Sequence, residues 1–146
     1  MKVPIKYILT VVLVIFITTL WAQKQFEDFV LIGNSTGQKE IKTADVVRIF
    51  KGQLSGWNNG YSVILALPST SSTESDKVAK LILNGNSSTM QKYWLGLVFQ
   101  GRANPPYFFD TSEEIIKFIQ RTPGSVALLP IDLKEKLDDN LIIQIK

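Results

Sequence analysis

Ile49 to Ser75 runs IFKGQLSGWNNGYSVILALPSTSSTES. A helical apolar period ends where Gly52 and Gly56 enter, and a large aromatic, Trp57, stands in the loop behind them. An unbroken apolar run follows, SVILAL from Ser62 to Leu67, and then a hydroxyl-rich segment, PSTSSTES from Pro68 to Ser75. A short continuous apolar run fits a strand buried on both faces, which requires a sheet covered by helices. A strand centred on Phe29–Ile32 precedes it, a second continuous apolar run lies at Ser125–Leu129, and LIIQI, Leu141–Ile145, reads as a last strand.

Four helical patterns fill the intervals. Thr43 can cap the first, with Val46, Val47 and Phe50 inward, and Ser71 the second, with Val78, Leu81 and Ile82 inward. Ser88 can cap the third, with Met90, Trp94, Leu95 and Val98 inward, and Thr111 the fourth, with Ile115, Phe118 and Ile119 inward. The last three caps are followed by Glu74, Gln91 and Glu114, the spacing of a capping box. Pro123 and Gly124 stop the fourth helix. Strands alternating with helices predict an α/β domain with a mixed or parallel β-sheet flanked by helices.

The N-terminus, MKVPIKYILTVVLVIFITTLWAQKQ, carries Lys2 and Lys6 and then an uncharged apolar run from Tyr7 to Trp21. That is the pattern of a secretory signal peptide, short for a membrane span, with a cut after Ala22. Leu20 is larger than the residue preferred three positions before a cut, so an uncleaved anchor is the rival reading and the one route to a membrane. Residues 1–22 are thus expected as a leader and residues 23–146 as one extracytoplasmic, periplasmic domain.

The 146 residues contain no Cys and no His. Thiol nucleophiles, imidazole bases, disulfides, a lipid-bearing cysteine and most transition-metal sites are excluded together, and no metal or cofactor is expected. Once Lys2 and Lys6 leave with the leader, 14 basic side chains face 13 acidic ones. With no Lys/Arg cluster, nucleic acid is not an expected partner. No acidic pair is placed for acid–base work. Glu113 and Glu114 point apart on one helix, Asp138 and Asp139 sit in a turn, and Arg102 is a loop charge. The chain is not expected to be an enzyme.

Two loops qualify as ligand sites, because ligands of open α/β sheets favour the carboxyl ends of strands. One is Ser69, Thr70, Ser71, Ser72 and Thr73, hydroxyls before a helix start where backbone N–H groups suit an anion. The other is GNSTG, Gly33 to Gly37, where Asn34 and Ser35 lie in a turn that can present an N–H nest. Ordinary capping explains the first loop and a glycine turn the second. Glu74, in the first turn, opposes an anion.

In order, FVLIGN, IKTADVVRIFKGQLSGW, SVILALPSTSSTES, YWLGLVFQGRANPP and SEEIIKFIQRTPGSVALLP resemble segments of the phosphate-type substrate-binding proteins of ABC transporters, within the type II periplasmic binding proteins. The I-F-x-G…W and T-P-G-x-V pieces together carry the resemblance, which covers Asp28 to Pro130. It implies a single lobe of that fold and a small oxyanion such as phosphate as ligand. It makes Trp57 a structural anchor and Gly52 a tight helix exit. Two departures stand beside it. The loop at Ser69–Thr73 lacks the arginine and glycines that clasp phosphate in that family, and the chain is about half the expected length. A one-walled site buries little of a small anion, unless an envelope protein or a second copy supplies the other wall. The expectation is therefore an exported solute-binding-like domain for uptake or sensing. The alternative is a ligand-free module that binds an envelope protein or itself.

Overall fold

The computed structural model describes Pro4, residues 6–10, residue 12 and residues 25–146. The cut after Ala22, and most of the expected leader, lie outside the described residues. No helix among the described residues is long and apolar enough to cross a membrane.

The chain forms β1 (Phe29–Gly33), β2 (Glu40–Ile41), α1 (Thr43–Phe50), β3 (Ile64–Pro68), α2 (Ser75–Leu83), α3 (Ser87–Phe99), β4 (Tyr107–Phe109), α4 (Ser112–Arg121), β5 (Ser125–Pro130), two 3-10 turns (Ile131–Lys136 and Asp139–Leu141) and β6 (Ile142–Ile145). The strands make one mixed six-stranded sheet in the order β2-β6-β1-β5-β3-β4. β3 runs parallel to β5 and β4, β6 parallel to β2, and β1 antiparallel to both β5 and β6.

The four apolar runs become strands because helices cover both faces of the sheet. Leu31, Leu65, Leu67, Val126 and Leu128 meet Val46, Ile49 and Phe50 of α1, Val78 and Ile82 of α2, and Met90 and Trp94 of α3. Val30, Ile32, Ala66, Ala127 and Leu129 point the other way, against Ile115, Phe118 and Ile119 of α4 and Leu137. Successive side chains of β1, β3 and β5 alternate between two buried faces, so no polar position interrupts them, whereas β6 carries the exposed Gln144.

Helix starts depart from the expected caps in three of four cases. Thr43 caps nothing: its N–H and hydroxyl both donate to the Lys146 carbonyl, at 2.9 and 3.0 Å, and pin the C-terminus. α2 begins four residues after Ser71, with Glu74 at the cap position and paired to Lys77 at 3.1 Å instead of closing a box. Asn86, not Ser88, caps α3 by accepting from the Thr89 N–H at 2.9 Å. Thr111 caps α4 with Glu114 in a complete capping box, as expected.

The α3 stripe is also corrected. Met90 and Trp94 are buried and Leu97 packs on the core, whereas Leu95 is 55% exposed and Val98 half-buried. A helix turns by 100° per residue, so a face centred on positions 90, 94 and 97 carries Leu95 round to solvent.

Two glycines are required by conformation. Gly52, at φ +67°, ends α1 with paired bonds from its own N–H to Ile49 and from Gln53 to Arg48, both 2.9 Å. Those are the closing bonds of a Schellman turn, the tight exit expected there. Gly124 sits at φ +83°, and a Cβ there would drive into the Ser62 carbonyl.

Candidate functional site

The two loops expected at strand carboxyl ends lie at opposite ends of the sheet. β1 is antiparallel to β5, so Asn34 and Ser35 emerge beside the start of β5, where Gly33 faces Val126. β3 and β4 are parallel, so Ser69–Thr73 emerges at the far end, beside the residues that follow Phe109. Continuous apolar runs do not encode direction, and that is why both loops qualified on sequence.

At the Asn34 end the polar groups close on the backbone. The Asn34 amide donates to the Ile119 and Gln120 carbonyls, at 2.9 and 3.1 Å, satisfying the last turn of α4. Ser35 takes φ +51° and its hydroxyl donates to Asn34 Oδ1 at 2.9 Å. Trp57 is buried, and its indole N–H donates to the Gly124 carbonyl at 2.8 Å. This is the anchor role expected of Trp57, and Asn34 works beside it.

At the other end the Ser69 N–H donates to the Phe109 carbonyl at 2.7 Å and extends the β3–β4 ladder by one rung. That rung sets the Ser69 loop against Asp110, between β4 and α4. The hydroxyls of Ser69 and Ser71 both donate to Asp110 Oδ1, the second at 2.5 Å, and lie 2.7 Å from each other. Charge-assisted hydrogen bonds favour the ionised carboxylate. The Ser69 hydroxyl first, and then that of Ser71, hold the Asp110 pKa below its ordinary value. Glu114 accepts from the N–H groups of Asp110 and Thr111, both at 3.2 Å, and fixes the backbone that carries the carboxylate.

Part of the loop's donor capacity is already taken. The N–H groups of Ser72 and Ser75 donate to the Ser69 and Ser72 carbonyls, at 3.0 and 3.3 Å. Those of Ser71 and Glu74 donate to the Ser69 and Ser72 hydroxyl oxygens, at 3.3 and 3.4 Å. Ser71, Ser72 and Thr73 line an open recess of about 650 Å³, whereas Thr70 is exposed and outside its wall. The charged side chains of the recess are Glu74, Asp110, Glu113 and Asp132 against Lys77, which is itself paired with Glu74.

Of the five hydroxyl residues, Ser69 and Ser71 converge on a carboxylate from their own chain, whereas Ser72 and Thr73 bond to Glu74 and Thr70 is exposed. Asp110 is the residue that sequence reasoning missed. It follows a three-residue strand too short to show a period, 39 positions beyond Ser71. A carboxylate held ionised by two serines, without an imidazole or ammonium group beside it, accepts hydrogen bonds and is a poor base. The arrangement suits binding better than bond making.

No protein-family model matches the sequence, and no curated protein matches it. Solved structures do match the fold. PstS from Borrelia burgdorferi superposes with a TM-score of 0.57 at 13% identity, over 82% of this chain and 47% of that one. A possible phosphate binding protein from Planctomyces limnophilus gives 0.56 at 11% identity, over 82% and 41%. An ABC-type phosphate transport receptor from Vibrio cholerae gives 0.51 at 12% identity, over 81% and 46%. The fold is that of one lobe of a type II periplasmic binding protein, of the PstS kind. The chain spans less than half the length of these three structures.

Proposed function

We propose that residues 1–22 export this chain and that residues 23–146 act outside the cytoplasm, in the periplasm, as a non-enzymatic recognition domain whose partner is an envelope protein. The observation that carries the reading is the occupation of Ser69 and Ser71 by the Asp110 carboxylate. An anion arriving there must displace a negative charge already bonded to both hydroxyls, inside a recess where Glu74, Glu113 and Asp132 repel it. The test is co-purification of tagged protein from cross-linked envelopes, beside a phosphate titration followed by backbone amide shifts. A specific envelope protein with no shifts at millimolar phosphate supports the reading. A clean monomer that binds phosphate tightly refutes it.

A second reading keeps the solute role, with phosphate or a similar small oxyanion bound at Ser69–Thr73 for uptake or sensing. It is favoured by the convergence of two hydroxyls on one anionic oxygen, since the cradle that holds a carboxylate oxygen also suits a phosphate oxygen. Asn34 and Ser35 take no part in it from the opposite end of the sheet. Asp110→Ala decides the point: phosphate shifts clustered at Ser69–Thr73 in that variant support a solute site, and silence there ends the solute reading.

A further inference from the structure

Six large hydrophobic side chains of residues 25–146 stand out as exposed, and four of them, Leu95, Phe99, Tyr107 and Phe108, fall between Lys77 and Phe109. The same 33 residues contain Lys77, Lys80, Lys92 and Arg102 and no Asp or Glu. Residues 23–146 as a whole hold 14 bases and 13 acids, so the rest of the domain is net acidic. Positive charge and exposed apolar side chains thus share one stretch of chain, although Tyr107 packs on Phe118 of α4, across the sheet from α3. Among the described residues, Lys77 pairs with Glu74, whereas Lys80, Lys92 and Arg102 make no ion pair.

The sharpest part of this stretch is α3. Lys92, Leu95 and Phe99 follow at i, i+3 and i+7 along one helix face, and Arg102 continues the series just past the helix end. Phe99 is 82% exposed, far beyond what the packing of α3 on the sheet requires. The face thus offers a protruding aliphatic and aromatic pair between two cations, the two kinds of contact that an anionic membrane interface takes up. The apolar centre enters the headgroup boundary and the cations meet anionic headgroups.

We propose that the α3 face, Lys92–Leu95–Phe99–Arg102, docks this domain on a bilayer containing anionic lipid. A second copy of the chain is a poorer occupant, because the face brings only cations to a self-complementary contact. The proposal does not depend on what Ser69–Thr73 binds.

The chain has no Cys, so Gln91→Cys gives a unique attachment point for a polarity-sensitive dye beside the face, and Gln120→Cys on α4 gives one on the opposite side of the sheet. The full chain is mixed with phosphatidylcholine vesicles, with and without phosphatidylglycerol. A retained leader, with Lys2 and Lys6, also favours anionic vesicles, so the contrast between positions 91 and 120, together with the substitutions in the face, reports docking of the face. The expected result is a blue shift at position 91 with anionic vesicles alone and none at position 120. Leu95→Ser with Phe99→Ser abolishes it, and Lys92→Gln with Arg102→Gln lowers the docked fraction ratio on the order of thirtyfold. Equal shifts at both positions or with both vesicle types, or no shift, overturn the proposal. A shift that rises with protein concentration without vesicles overturns it in favour of a second copy.

Discussion

The two ends of the central sheet use polar side chains in opposite ways. At the end marked by Asn34, Trp57 and Gly124, the Asn34 amide and the Trp57 indole bond to backbone carbonyls. Gly124 donates to the Asn34 carbonyl at 2.7 Å, Asn34 donates to the Ser125 carbonyl at 3.0 Å, and the Gly124 carbonyl accepts from both Trp57 and Ile64. At the end marked by Ser69, Ser71 and Asp110, side chains bond to one another in solvent. The first pattern ties by hydrogen bonds the end of α4, the start of β3 and the loop after β1. The second could be unmade without releasing any strand. Scaffold and candidate site are thereby told apart by where each polar group finds its partner. Substitutions at the first end should cost stability, and those at the second should change binding.

The largest effect is expected at Trp57. Trp57→Ala empties a buried site and removes the bond to Gly124, and should cost about 4 kcal/mol in denaturant unfolding. Trp57→Phe keeps most of the volume and should cost about 1–2 kcal/mol, since the Gly124 carbonyl retains its bond from Ile64. Equal losses in the two variants would mean that the indole N–H, not the packed ring, is the anchor. Gly124→Ala should follow at about 2–3 kcal/mol, because it forces a side chain into the left-handed region and against the Ser62 carbonyl. An unchanged unfolding midpoint there would show that the Ser62 segment moves freely, and would break the contrast between the ends. Asn34→Ala should cost about 1–2 kcal/mol, with faster amide exchange in the last turn of α4, where the Gln120 carbonyl loses its partner and the Ile119 carbonyl keeps the bond from Thr122. A variant that instead altered phosphate shifts would move Asn34 from scaffold to site.

The scaffold end was legible in the sequence and the site end was not, for a physical reason. Trp57 behind the Gly52 helix exit, Pro123–Gly124 after a periodic helix, and the apolar runs that became β1, β3, β5 and β6 are all marked by local chemistry. Thr111 with Glu114 is marked in the same way, because both halves of the capping box lie within three residues. Ser71 looked equally good as a cap, yet its hydroxyl goes to Asp110, which no local pattern connects to it. Ser88 lost to Asn86 because either satisfies a helix start, and the packing of α3 decided where the helix begins. β2 and β4, with two and three residues, are too short to show a period, and they exist through pairing with β6 and β3. The antiparallel course of β1 leaves no mark on composition either. It separates the Asn34 loop from the Ser69 loop by the length of the sheet.

The smallest expected effect on stability is at Asp110, and it carries the most information about the site. Its carboxyl is fully exposed, so Asp110→Asn should leave the unfolding midpoint at neutral pH close to that of the parent. The pH dependence has a definite sign. The hydroxyls of Ser69 and Ser71 lower the folded-state pKa below the ordinary aspartate value of 3.8. The contribution of this contact is therefore complete above that value and is lost as acid takes the pH down through the folded-state pKa. A carboxyl carbon titration should place the Asp110 midpoint below 3.8, and the amide signals of Ser69 and Ser71 should move with the same midpoint. In Asp110→Asn that shared acid transition should vanish from both serines while the Thr111 cap of α4 persists. A midpoint at or above the ordinary value would mean that the hydroxyls are not held by the carboxylate in solution. Ser69 and Ser71 would then be open donors beside a helix start, and the balance would pass from the closed recognition domain to the oxyanion site.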